Sequence, residues 1–291
     1  MPSQEHENVI AMLRANESAE DLPLDQQRLR MEGIAELFPI ADDVQVDEVN
    51  CDGVTSDWVR IDGCDSSRAI MYLHGGAYTK GSRKTHRELA SRIARESGAN
   101  VLLPEYRLAP EHPCPAGLDD ALTCWRWLLA QGYDTDQLTI AGDSAGAGLA
   151  LAMMLTAKTL AVALPARTVL IAPWVDLELV GPSAEAGAVD DPMLQRNRLL
   201  MDARHYAGGD LRRWQVSPLH GDLSDLPPML IQVGDRDLLV SDSTRLAQQA
   251  RNAGVNVTLE IEEGLIHVWH FFPMLPESKA AVDRIGAFIQ G

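Results

Sequence analysis

Cysteine is scarce in this chain, with four among 291 residues, at positions 51, 64, 114 and 124. None belongs to a C-x-x-C pair or sits beside a histidine at metal-ligand spacing. Four unpaired thiols in a cytoplasmic protein are therefore expected, rather than a disulfide framework or a metal centre. Basic residues are also in deficit: 25 Lys and Arg face 42 Asp and Glu, a formal net charge of −17. With no Lys/Arg-rich run, that balance excludes nucleic acid as a partner and disfavours anionic membrane surfaces. Long apolar runs are missing too. The most apolar helix candidate, Ala145 to Ala157, has only about two-thirds of the length needed to span a bilayer. The first seven residues are polar and acidic, unlike a secretory signal. Neither an internal repeat nor a low-complexity linker divides the chain, so one folding unit is expected.

What is present is an alternation of short apolar runs and helical stretches. Hydrophobic residues make up 46% and charged residues 23%, ordinary values for a globular enzyme able to bury a large core. Val44–Val49 and Trp58–Ile61 alternate in polarity and read as antiparallel edge strands. Ala69–Leu73, Val101–Leu103, Leu138–Ala141, Thr168–Ala172, Met229–Val233 and Val255–Ile261 read as strands of a mainly parallel sheet. Helices are expected near 84–97, 116–130, 145–159, 241–253 and 276–289. The fold class is α/β, three layers around an eight-stranded sheet. Two stretches break the alternation. Residues 4–38 are amphipathic and helical, with Val9, Leu13, Leu29, Ile34 and Leu37 as apolar positions. Residues 181–215 begin as a Gly/Pro/Ala loop and continue as a helix near 192–206. These two stretches are expected to form a helical cap (residues 1–45 and the insertion 181–215) on a catalytic domain of residues 46–291.

Gly142-Asp143-Ser144-Ala145-Gly146 sits where the 138–141 strand turns directly into a small-residue helix. A serine on such a turn needs small neighbours, because a Cβ at either glycine would strike the adjacent strand or helix. The turn lifts the Ser144 hydroxyl above the sheet and aims the first N–H groups of the helix at negative charge forming beside it. By chance alone, roughly one chain of this length in ten carries the pattern, so its weight depends on partners. Those should also follow strand ends, with the acid and then the base later in the chain. That order leaves His267 and His270 as bases. His267 is preferred, since the Glu-Glu-Gly-Leu-Ile loop before it can swing back over the sheet edge, and His270 is expected to pack with Trp269 and Phe271. Asp235, Asp237 and Asp242 compete as the acid. Asp242 opens a helix, where capping explains it, and Asp235 can pair with Arg236, so Asp237 is preferred.

An oxyanion hole needs at least two N–H donors. Ala145 supplies one, and the turn His74-Gly75-Gly76-Ala77-Tyr78 after the 69–73 strand supplies the rest, with Gly75 and Gly76 as the expected donors. His74 itself is expected to be a structural hydrogen-bonding residue. Ala77, Tyr78, Asp143 and Trp174 are the candidates for the substrate pocket.

These segments, with Tyr106-Arg107-Leu108-Ala109-Pro110-Glu111, Pro115-Ala116 and Asp119-Asp120, resemble the hormone-sensitive-lipase-like branch of the α/β-hydrolases, the bacterial family IV esterases. The resemblance covers about residues 65–290. It implies a serine carboxylesterase acting on small esters of short to medium acyl chain, with no metal or organic cofactor. It further implies donation to the oxyanion from Gly75, Gly76 and Ala145, and a helical cap over the acyl pocket. The Gly-Asp-Ser-Ala-Gly form belongs to a subgroup often found as homodimers through the late strand and helix. Two departures stand out. Ala77 replaces the third glycine of the family's H-G-G-G, and Leu238 stands where many members have proline after the acid. An amidase or lactonase would use the same triad, and lyases and hormone receptors also resemble this branch, although the receptors lack the histidine present here at 267.

Overall fold

The structure, a computed structural model, describes residues 2–15 and 22–291. Its centre is one eight-stranded sheet in the order β1-β2-β4-β3-β5-β6-β7-β8. The strands are β1 (Val44–Cys51), β2 (Val54–Ile61), β3 (Asp65–Leu73), β4 (Ala99–Pro104), β5 (Leu138–Asp143), β6 (Arg167–Ile171), β7 (Met229–Gly234) and β8 (Val257–Glu262). Strands β3 to β8 run parallel, and β2 is antiparallel to both β1 and β4. All eight expected strands are present. The expectation of two edge strands is corrected, because β2 is interior: β4 sits outside β3, so β2 gains a second neighbour and only β1 is left at that edge.

Successive residues of a strand face opposite layers, and β3 shows the consequence. Ile70 and Tyr72 enter a core shared with α3 (Arg87–Ser97) and α8 (Pro276–Gln290). Met71 and Leu73 enter the larger core on the other face, with α4 (Ala116–Ala130), α5 (Ser144–Thr159) and α7 (Val240–Asn252). Helix α5 is apolar all round, as a helix buried on every side must be; residues Ser144 to Leu155 are all buried.

The two stretches outside the alternation lie at the same end of the protein. In α1 (Gln4–Ala15), Val9 and Ile10 pack on Leu265, Ile266 and Trp269, in the segment that carries His267. Helix α2 (Leu24–Ala35) has no buried residue. Arg28 ties it down by donating to the carbonyls of Thr79 and Ala109 and pairing with Glu111, and Ser82 donates to Glu32. The stretch 16–21 of the expected helical segment lies outside the described residues. In the 181–215 stretch the helix α6 (Arg196–Ala207) begins four residues later than expected. Pro192 stands just ahead of it, and the Asp191 carboxylate holds the N–H groups of Met193 and Leu194 in a turn instead.

Candidate active site

Strand β5 delivers Ser144 onto a turn that its neighbours force. Ser144 has φ 51°, a left-handed value that a side chain adopts only at a cost. A Cβ on Gly142 would come within 2.7 Å of the Leu73 carbonyl oxygen, and one on Gly146 would overlap that same oxygen. Glycine at both positions is therefore a packing requirement of α5 against β3.

Three side chains from three strand ends meet there. His267 Nε2 lies 3.0 Å from Ser144 Oγ, and His267 Nδ1 lies 2.8 Å from Asp237 Oδ2. Asp237 is fully buried, and its other oxygen accepts the N–H of Leu239 at 2.8 Å. Burial opposes a charge on His267, but Asp237, with Asp191 and Asp143 beyond it, raises its pKa above the usual 6.5. The competing residues have other partners. Asp235 accepts the N–H of Gly264 at 2.7 Å and so ties the acid loop to the histidine loop. Asp242 accepts the N–H groups of Val175 and Asp176 and pairs with Arg245. His270 bonds Gln232 at 2.9 Å and packs on Trp269. His74, fully buried and held down to about 3, donates from Nδ1 to the Gly75 carbonyl and stacks on Tyr106.

The turn after β3 differs from expectation in one donor. The Gly75 N–H points inward, to Asp143 Oδ1 at 3.0 Å and His86 Nε2 at 3.2 Å. It is consumed by the scaffold, which corrects its assignment as a donor to substrate. Gly76 (φ +119°) and Ala77 (φ 54°) line the cavity in front of Ser144. A side chain on Gly76 would run into the Lys80 carbonyl. Asp143 also borders the cavity, but its carboxylate is turned away into a buried network with Tyr72, Gly75 and His86. Its role is to hold the turn.

The cavity has a volume of about 210 Å³. Of the four expected pocket residues, only Ala77 and Asp143 line it. Tyr78 and Trp174 are corrected: Tyr78 stacks on Tyr206 with ring centres 3.7 Å apart and packs on Trp174, behind the wall. Gln27 and Met31 of α2, Met193 and Leu199 of the insertion, and Phe271 form the wall instead. No sequence signal marks these as wall residues: Gln27, Met31, Met193 and Leu199 lie in the two stretches outside the sheet, and Phe271 follows His267 by four residues. Among the described residues, Asp176, Glu178 and His220 bring metal-type ligand atoms within 4.8 Å of one another. Arg245 already pairs with Asp176 at 2.8 Å, so a cation there would have to displace it.

Known proteins share this fold. A family profile described as the alpha/beta hydrolase fold matches residues 70–271. A crystal structure of an esterase from the bacterial hormone-sensitive lipase family superposes with a TM-score of 0.96 at 39% identity, covering 100% of this chain and 98% of that one. An acetyl-hydrolase of Streptomyces hygroscopicus is 39% identical, over 100% of this chain and 97% of its own. An esterase of Acinetobacter venetianus is 34% identical, over 89% and 86%. The chain belongs to the α/β-hydrolase family, in the branch of the bacterial hormone-sensitive-lipase esterases. Within that class it is a serine carboxylesterase.

Proposed function

We propose that Ser144 is the nucleophile, His267 the general base and Asp237 the group that orients it, with the N–H groups of Gly76, Ala77 and Ala145 as the oxyanion hole. The observation that carries this reading is the unbroken line Ser144–His267–Asp237, at 3.0 and 2.8 Å. His267 takes the Ser144 proton as the oxygen attacks the ester carbonyl, then returns it to the leaving alcohol, and water cleaves the acyl-enzyme by the same steps. Asp237 accepts from Nδ1–H, which leaves Nε2 free to take the proton. Each oxyanion donor supplies about 3 kcal/mol to the transition state, so the turn matters as much as the triad.

The 210 Å³ cavity, smaller than the roughly 300–1,000 Å³ of drug-sized sites, favours short acyl groups. Helices α1 and α2 and the 181–215 stretch act as its cap. The homodimer implied by the resemblance would use β8, an open sheet edge where Ile261 stays exposed; sedimentation of the purified chain tests it.

A p-nitrophenyl ester chain-length series tests the mechanism. Ser144→Ala and His267→Ala should each lower kcat by about 10⁴-fold or more, Asp237→Asn by about 10⁴-fold, and Asp235→Asn far less. Turnover should fall as the acyl chain grows past medium length. Full activity in Ser144→Ala removes the mechanism, and a crippled Asp235→Asn beside an active Asp237→Asn moves the acid by two residues.

A further inference from the structure

The catalytic acid sits on a loop, and that loop is held from outside the sheet. Asp190 and Asp191, neighbours in the insertion, reach the residues on either side of Asp237. Asp190 pairs with Arg236 at 2.6 Å and also with Arg14 of α1 at 2.5 Å. Asp191 Oδ2 accepts the Leu238 N–H at 2.9 Å, and its Oδ1 accepts Met193 N–H at 2.8 Å and Leu194 N–H at 3.0 Å. Met193 and Leu194 line the cavity in front of Ser144. One carboxylate thus ties the acid loop to the pocket wall, and its neighbour ties that loop to the N-terminal helix.

The donor that Asp191 uses exists only because position 238 is not proline. A proline there would stiffen the loop after the acid by fixing φ and would carry no N–H. Leucine leaves the loop freer and leaves an N–H that must be satisfied where it is buried. The Asp191 carboxylate does both tasks.

We propose that Asp190 and Asp191 are positioning residues that clasp the acid loop on both flanks of Asp237, so that the insertion and α1 set the alignment of Asp237 with His267. The inference rests on the triad reading above. The electrostatic surroundings agree with it. The charged groups facing His267 are Asp237, Asp191 and Asp143. Those facing Asp191 are Asp237 and His267, and burial followed by the Asp237 charge pushes its pKa up to about 6. From α1, His6 faces Arg236 and Glu277.

Removing the Asp191 charge therefore has a definite sign. A negative group beside His267 favours the imidazolium, so its loss lowers the His267 pKa, and the base stays neutral to more acid pH. In Asp191→Asn we expect kcat to fall about tenfold through misalignment, KM to stay within about twofold, and the acid limb of kcat/KM to move down by about half a pH unit. A purely structural residue would change melting temperature and yield but leave that limb in place. Both kcat and the limb must move, and a wild-type value for either overturns the proposal. Should Asp191→Asn fail to fold, Asp190→Asn decides: kcat down about threefold at unchanged KM supports the clasp, and unchanged kcat overturns it. Ser144→Ala measured alongside separates the two readings. If it is inactive while Asp191→Asn behaves as wild type, the clasp alone falls; if it stays active, the triad falls first and the clasp with it.

Discussion

The nucleophile's side of the site and the cap above it are built from opposite materials. Ser144 is fixed by close packing: α5 is buried along its length, and Gly146 lies so near β3 that a methyl group has no room. Helix α2 buries no residue and is tied down by Arg28, Glu32 and the carbonyls and carboxylates they meet. Apolar packing at crystal-like density tolerates almost no change in volume. Polar tethers between half-exposed groups contribute little stability each, but they choose where a mobile element rests. The difference predicts that the sheet side answers to substitutions in stability and that α2, which lines the cavity, answers in substrate binding.

The largest effect should come from the packed side. Gly146→Ala places a methyl group onto the Leu73 carbonyl, with no flexible side chain to give way. Backbone has to move, at a cost of about 3 kcal/mol, and the Ser144 turn moves with it. Thermal unfolding should therefore start lower, and activity should be lost even in the molecules that remain folded. A variant as stable and active as wild type would mean that α5 is not packed against β3 as described.

That contrast also explains what could be read in the sequence. The strands, the elbow, His267 and Asp237 were legible because each sits at the end of an apolar run, and the order of strand ends limits which histidine and which acid can meet. The features that were missed depend on polar contacts between distant residues. Nothing near Gly75 in the chain shows that its N–H is taken by Asp143, 68 positions later. Asp191 meets Leu238 across 47 positions, and neither periodicity nor spacing marks the pair. Tyr78 and Trp174 are candidates for the pocket from the sequence, but stacking on Tyr206 turns Tyr78 away, and the buried Trp174 packs against it. The wall residues Gln27 and Met31 come from a helix held by polar tethers, through Arg28 and Glu32, to residues distant in the chain.

Arg28→Ala sharpens the comparison at intermediate size. The guanidinium bridges α2 to the Thr79 and Ala109 carbonyls and to Glu111. Thr79 is two residues beyond Ala77, so α2 is anchored to the turn that carries Gly76 and Ala77 in front of Ser144. Without the tether, Gln27 and Met31 no longer hold one wall of the cavity. KM for a short-chain ester should rise about five- to tenfold, with kcat changing less, and the melting temperature should barely move. A large drop in melting temperature with unchanged KM would reverse the roles assigned to the two regions.

The smallest effect tests the cap from its outer face. Leu29 is 71% exposed, one residue beyond Arg28 on the same helix, and it faces away from the cavity wall. If α2 were held by burial, replacing this leucine with serine would loosen it and imitate Arg28→Ala. If polar tethers hold it, the substitution removes apolar surface that water already covers. Stability should then change by no more than about 0.5 kcal/mol, with KM as in wild type. Because serine and leucine both allow a helix and differ only slightly in propensity, a KM shift in Leu29→Ser comparable to that of Arg28→Ala would show that the outer face of α2 is covered in solution. The exposed leucine would then be part of how the cap is held.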